Sequence, residues 1–346
     1  MNGLASLALL LLGTSPPAVE SFSFPPVVVP SSSSARKEAT GSTLGAAPPS
    51  ATASSSRTDD ARAAETESFW GEPRGEREIV DFVSDAVFDG EDGANASDDG
   101  ERRWVEVISA EPPLLIVHGF LEREYCDQII DATLGGPPST DSSGSTSAAA
   151  AKHRLRRSTM GAEQEETDHR TSSTAWIRED RCPLPLRTFA SRASSLSGLP
   201  PGNMENLQVV RYQPGEEFQL HTDHLDSFNE FDCGGRLCTC LVYLNDSEES
   251  ATKGSSRMTE GGEDATFTGG ETEFPEFDAA IPPTKGSALF FWNTLERPGS
   301  KGYERDMFLN VDLKLRHAGL PVLSGEKWVA NRWIHPRNFG AGVRGL

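Results

Sequence analysis

The chain has 346 residues, with 52 acidic against 32 basic side chains and a formal charge of −20. This excess of acid argues against nucleic acid or an anionic membrane as a partner and suits a neutral or cationic polypeptide. The length allows two domains, or one domain with unfolded additions, and the distribution of apolar residues favours the second.

In chain order, the N-terminus MNGLASLALLLLGTSPPAVES carries an apolar run from Leu4 to Leu12. That run is shorter than the roughly 20 residues needed to cross a bilayer. It suits the apolar part of a signal peptide with small residues behind it, although no Lys or Arg precedes it. Residues 1–20 therefore read as a signal or targeting leader, and no membrane span is expected in the mature chain. The expected compartment is the secretory pathway, in the lumen of the endoplasmic reticulum. The Ser- and Ala-rich stretch that follows leaves a bipartite organelle leader as the alternative. Residues 31–67 are rich in Ser, Ala, Pro and Thr, and 88–101 (FDGEDGANASDDGE) are strongly acidic. Neither stretch can bury enough apolar surface to offset its ordering entropy. Residues 21–102 are thus expected to form a disordered linker, residues 103–338 one folded domain, and 339–346 a short tail.

Within the domain, WVEVISA (104–110) and PLLIVH (113–118) read as strands. Phe120, Tyr125, Ile129 and Ile130 form a rough helical stripe that predicts a helix near 121–133. Residues 134–160 are low-complexity and read as a mobile loop. A second helix is predicted over 185–197, where Leu186, Phe189, Ala190, Ala193 and Leu196 recur at helical spacing before Gly198 and Pro200. LQVVRYQ (207–213) and EFQLHTD (217–223) are strands on either side of a Pro-Gly turn. LCTCLVYL (237–244) is a continuous apolar run, as in a strand buried on both faces. After a second low-complexity loop at 246–266 come TGGETEFP (268–275), GSALFFWN (286–293), VDLKLRH (311–317) and KWVANRWI (327–334). Short strands broken by Gly and Pro turns predict a sandwich or jelly roll, with the two helices outside one sheet. The fold class is mainly β with flanking helices (α+β).

The five cysteines are Cys126, Cys182, Cys233, Cys238 and Cys240. Their spacing makes a poor zinc pattern, so they read as small strand residues with room for one disulfide. Asn95 and Asn245 begin glycosylation sequons, which matter only in a secreted chain.

The stretch HTDHLD (221–226) contains two overlapping His-x-Asp pairs, His221 with Asp223 and His224 with Asp226. A His and an Asp two apart on a strand point the same way, which supplies two ligands of a 2-His-1-carboxylate iron site. In VDLKLRH, Val311, Leu313, Leu315 and His317 share a parity, so an apolar stripe ends in a histidine. Taken alone, such a histidine is an ordinary core residue. Ten residues on, Lys327 opens a strand whose same-face positions are Val329, Asn331 and Trp333. Its ammonium would pair with an internal carboxylate as a salt bridge, or with a ligand's carboxylate as a cofactor clamp.

Together, LQVVRYQPGEEFQLHTD (207–223), GGETEFP (269–275), KGSALFFWN (285–293) and HAGLPVLSGEKWVANRWIH (317–335), with RTSSTAWI (170–177) before them, resemble the prolyl 4-hydroxylase catalytic domain. That family consists of Fe(II)- and 2-oxoglutarate-dependent dioxygenases on a double-stranded β-helix (jelly-roll) core. The resemblance runs from about Val105 to Pro336. It implies that the first metal histidine lies nine residues after Tyr212, which selects His221 and Asp223. His317 becomes the third ligand, and these three are the expected catalytic metal set. The resemblance also implies that Lys327 binds the distal carboxylate of 2-oxoglutarate, that Tyr212 and Thr272 hydrogen-bond it, and that Trp333 packs near it. His224 and Asp226 are left to the following loop, solvated or near the substrate entrance.

The implied cofactors are Fe(II), 2-oxoglutarate, O2 and L-ascorbate. The implied reaction is hydroxylation of a peptidyl proline at C4, with decarboxylation of 2-oxoglutarate to succinate and CO2. A proline-rich chain in the polyproline II conformation suits a groove with aromatic walls. Tyr243, Trp176 and Trp292 are candidates for such walls, with Arg170 on the substrate side. The sequence departs from the family at Phe218, at Leu320, in LERPGSKGYERDMFLNVD (295–312) and in the enlarged 246–266 loop. These departures spare the metal and cosubstrate residues and bear on substrate identity. A dioxygenase acting on another side chain or small molecule is the alternative. So is a non-catalytic jelly roll binding proline-rich chains.

Overall fold

The computed structural model describes residues 69–88, 103–135, 155–159, 166–250 and 267–342. The expected leader, most of the linker, and the central parts of the 134–160 and 246–266 loops lie outside these residues. Among the described residues no helix is long and apolar enough to cross a membrane.

The core is an eight-stranded antiparallel sheet of β1 (Trp104–Ala110), β2 (Pro113–His118), β3 (Arg156–Arg157), β4 (Ser173–Ile177), β5 (Leu207–Tyr212), β7 (Cys238–Tyr243), β11 (Ala288–Trp292) and β14 (Lys327–Ile334). Its spatial order is β1-β2-β11-β7-β14-β5-β4-β3. A smaller antiparallel sheet contains β6 (Phe218–His221), β9 (Thr272–Phe274), β10 (Ala279–Ile281) and β12 (His317–Gly319), in the order β10-β9-β12-β6. A third pairing joins β8 (Thr268–Gly269) to β13 (Val322–Ser324).

Period-2 alternation divides the large sheet into two faces. Cys238, Cys240 and Val242 of β7, with Ala288, Phe290 and Trp292 of β11, belong to one apolar cluster. This cluster lies under three helices: α1 (Glu76–Phe88), α2 (Arg123–Leu134) and α3 (Pro183–Ser197). Leu241 and Tyr243, with Leu289 and Phe291, belong to a second cluster that also includes Phe274 and Ile281 of the small sheet. Two antiparallel sheets packed face to face, with helices outside the larger one, form the jelly roll expected from the strand pattern.

Three expectations are corrected. First, residues 69–88, expected as part of a disordered linker over 21–102, fold onto the domain. Ile79, Val83 and Val87 of α1 are buried, and the Trp70 indole donates to Leu196 O at 2.7 Å. A Cβ at Gly71 would meet the backbone of Gly299 at 2.2 Å, so this segment lies directly against the 295–312 stretch. Arg297 ties the same region down, donating to Trp70 O at 3.2 Å and to both oxygens of Glu111 at 2.8 and 2.9 Å. Second, VDLKLRH is not a strand throughout. Asp312 accepts from Lys314 N at 3.0 Å and starts a 3-10 turn over Leu313–Leu315, and strand pairing begins only at His317. Third, all five cysteines are free and buried, so no disulfide forms. Asn245, expected as a sequon, is held by Glu326 O at 2.7 Å and Trp328 N at 2.9 Å.

Candidate metal centre

His221 ends β6 and His317 begins β12, and the two are direct antiparallel partners. Asp223 follows in the loop after β6. One donor atom from each of these three residues falls within 4.8 Å of the others, the only such group among the described residues. Asp223 Oδ1 lies 3.5 Å from His221 Nε2, and Oδ2 lies 3.8 Å from His317 Nε2.

Each imidazole is fixed by its other nitrogen. His221 Nδ1 donates to Gln219 O at 2.8 Å, and His317 Nδ1 donates to Leu315 O at 3.0 Å. Both Nε2 atoms therefore present lone pairs, as metal ligation requires. The His221 ring stacks on Phe218, with centroids 3.5 Å apart, and His317 packs against Phe274 and Phe291. Burial pushes the His317 pKa down to about 4, so this imidazole is neutral at pH 7. Asp223 has the opposite balance. Burial disfavours its charge, but His317 and His221 more than offset this and hold the carboxyl well below its usual range. Its Oδ2 accepts from Thr239 Oγ1 at 2.7 Å, and Thr239 accepts from Asn293 Nδ2 at 3.0 Å. Two imidazoles that turn Nε2 to the site and one ionised carboxylate form a donor set that fits a ferrous ion.

The same cavity extends past Asp223 and His317 to Lys327, Tyr212, Thr272 and Trp333. A larger hollow beside α1 and α3 contains none of these groups. Lys327 is 3% exposed, and among the described residues it has no carboxylate within ion-pair distance. Burial lowers its pKa to about 7, against a smaller opposing effect of Glu271. Its ammonium lies 5.2 Å from the Tyr212 ring and 5.9 Å from the Tyr243 ring. Gly270, at φ 73°, turns the chain beside it. A Cβ there would meet Lys327 Cδ at 3.0 Å, so the GGET stretch needs glycine for conformation and for space.

Residues 207–335 match the family model of the 2OG-Fe(II) oxygenase superfamily. Prolyl 4-hydroxylase 5 of Arabidopsis thaliana is 30% identical over 256 residues, covering 69% of this chain and 73% of that protein. The chain belongs to the prolyl 4-hydroxylase family. Human prolyl 4-hydroxylase subunit alpha-1 is 33% identical over 196 residues, 54% of this chain and 31% of the subunit. Among solved structures, the viral collagen prolyl hydroxylase of Paramecium Bursaria Chlorella virus-1, as its 2OG complex, is similar at 26% identity. That likeness has a TM-score of 0.41 and covers 64% of this chain and 95% of the viral one.

For this prolyl 4-hydroxylase family member, the expected substrate residues are distributed unevenly. Arg170 is buried near the metal ligands, donating to Gln208 Oε1 at 2.9 Å with its guanidinium 4.8 Å over the Phe218 ring. Trp176 is 39% exposed and lies 6.1 Å from Trp333. Trp292 is misplaced by the expectation. It faces the helices, 6.1 Å from Trp70 and 5.6 Å from Phe290, because its neighbour Phe291 takes the opposite side of β11. Tyr243 is fully buried and donates to Thr272 Oγ1 at 2.8 Å, so it backs the Lys327 end instead of walling an open groove. His224 is also buried and not solvated, with Nδ1 donating to Arg236 O at 3.0 Å. Thr239, not anticipated, shares the β7 face of Leu241 and Tyr243, and strand parity places all three together.

Proposed function

We propose that the chain hydroxylates peptidyl proline at C4 in proline-rich polypeptides, consuming 2-oxoglutarate and O2 and releasing succinate and CO2. In this reading His221, Asp223 and His317 hold Fe(II). The iron, when bound, supplies the oxidative chemistry that no side chain can perform. The remaining steps belong to the protein. Lys327 receives the distal carboxylate of 2-oxoglutarate, Tyr212 and Thr272 direct it by hydrogen bonds, and Trp333 closes one wall. Arg170, whose guanidinium lies over Phe218, is assigned to the substrate side. L-ascorbate is the proposed reductant. The secretory pathway, at the endoplasmic reticulum, is the proposed compartment.

One observation carries the reading: a buried ammonium without a carboxylate partner among the described residues opens onto the cavity that holds the metal triad. A buried cation is costly unless paired, and a dicarboxylate chelated at the metal would bring the partner. The test is succinate release by the purified protein with Fe(II), ascorbate and 2-oxoglutarate, with and without poly-proline and proline-rich peptides. Peptide-stimulated turnover, abolished by His221→Ala, is expected. Turnover insensitive to that substitution defeats the metal assignment. Succinate release stimulated only by non-proline substrates defeats the peptidyl-proline assignment.

A further inference from the structure

The hollow beside α1 and α3 shares no residue with the metal cavity. Its volume of about 400 Å³ is usual for a small-molecule site. The last turn of α1, with Val87 and Phe88, supplies an apolar side. The rest is polar. Arg103, just before β1, lines it together with Arg187, Thr188, Ser191, Arg192 and Ser195 of α3. Those five recur at the three- and four-residue spacing of a single helix face. Among the described residues no acidic side chain lines the hollow.

Two of the three guanidiniums are held in place. Arg192 donates to both oxygens of Glu122, at 3.1 and 2.8 Å, and to Phe120 O at 2.6 Å. Arg103 lies 3.6 Å from the same carboxylate, with its guanidinium 5.7 Å from the centre of the Phe88 ring. Their side chains are only 16% and 18% exposed, so both cations are largely ordered before any ligand arrives. The third differs: the Arg187 side chain makes no ion pair or hydrogen bond among the described residues. The chain as a whole carries a charge of −20, yet exposed charges are screened beyond about 8 Å at physiological salt. An anion inside the hollow therefore answers to the arginines around it.

We propose that this hollow binds a small phosphorylated molecule, with its phosphate taken by Arg187, Arg103 and Arg192 and its body against the last turn of α1. A guanidinium offers a planar fork of donors that matches phosphate oxygens. Three forks with the hydroxyls of Thr188, Ser191 and Ser195 exceed what one carboxylate can accept and suit the three terminal oxygens of a phosphate ester. The site is separate from the metal centre and stands whether or not the function proposed above does.

Titration of ribose 5-phosphate into the full chain by calorimetry, at about 0.15 M salt, tests it, with free ribose as the uncharged control. A dissociation constant below about 1 mM is expected, with no heat from ribose. Arg187→Gln should raise that constant about fivefold or more, because it removes a charged donor. Arg178→Gln removes the same charge from a side chain that is 70% exposed and outside the hollow, and should leave it unchanged. Lys327→Met should also leave it unchanged, which separates this site from the metal cavity. If Arg187→Gln fails to fold, Ser191→Ala replaces it and should weaken binding at least about twofold. Absence of binding to the full chain, an equal loss in Arg178→Gln, or a loss in Lys327→Met overturns the assignment.

Discussion

His221 and His317, almost a hundred residues apart in sequence, pair across β6 and β12 with ring centroids 4.3 Å apart. A single carboxylate, Asp223, faces the Nε2 atom of each. Removing either ring leaves two donors. His317→Ala is expected to abolish measurable Fe(II) retention in equilibrium dialysis and to reduce succinate release below about 1% of the starting activity. Retention of stoichiometric iron by this variant would refute the triad.

Thr239 donates to Asp223 Oδ2 without being a ligand. Thr239→Val preserves shape but leaves that oxygen without its donor. Loss of such outer contacts weakens metal affinity about 10- to 100-fold. Iron titration should show a weakening in that range, with little change in the peptide KM at saturating iron.

Lys327 has a folded-state pKa near 7, below its ordinary value of 10.5. Between these values the folded ligand-free protein binds fewer protons than the unfolded chain, so its stability rises with pH over that window. The penalty for burying the charge is fully present below about pH 7 and fades as pH climbs towards 10.5. In the proposed function the protonated amine receives 2-oxoglutarate, so affinity should fall as pH rises above about 7. Denaturant midpoints and binding constants from pH 6 to 9 check both slopes. Lys327→Met should remove the lysine's contribution to the pH slope of stability, leaving the opposing one of His335, whose pKa is raised to about 9, and raise the 2-oxoglutarate dissociation constant by an order of magnitude or more.

Trp70 is 1% exposed and joins α1 to the main core. Trp70→Ala is expected to cost about 3–5 kcal/mol in denaturant unfolding. A change near zero would mean that residues 69–88 do not belong to the folded unit.

All five thiols are buried and unpaired. Burial pushes the Cys126 thiol up to about 12 and Cys182 to about 11, so few thiolates exist to react. A chromogenic disulfide reagent should react slowly with the native protein and count five thiols once it is unfolded, without reductant.

Much of this organisation is legible in particular residues. The apolar run of β7 announces a strand buried on both faces, and it is one. Val329, Asn331 and Trp333 follow Lys327 by strand parity. Val329 packs in the cluster between the sheets, and Asn331 and Trp333 line the same cavity as Lys327. The ligand pair is less determinate. Both His-x-Asp pairs in HTDHLD place a base and an acid on one face, and only the spacing from Tyr212 separates them. VDLKLRH alternates as a strand does, yet the Asp312 side chain offers the backbone a local turn, and local capping overrides the period. α1 is hidden between a Ser/Ala-rich stretch and an acidic one, although Ile79, Val83 and Val87 have helical spacing. Trp292 is misread because one strand's pattern does not say which side the helices will cover.

The two-faced character of β7 and β14 also bears on how such an enzyme diversifies. Neighbouring codons in these strands answer to different pressures: one residue keeps the domain folded, and the next shapes the chamber. A library confined to Leu241 and Asn331 would vary the chamber while leaving the helix-side face of the large sheet untouched. Substrate preference can then drift over generations without eroding the scaffold that displays it.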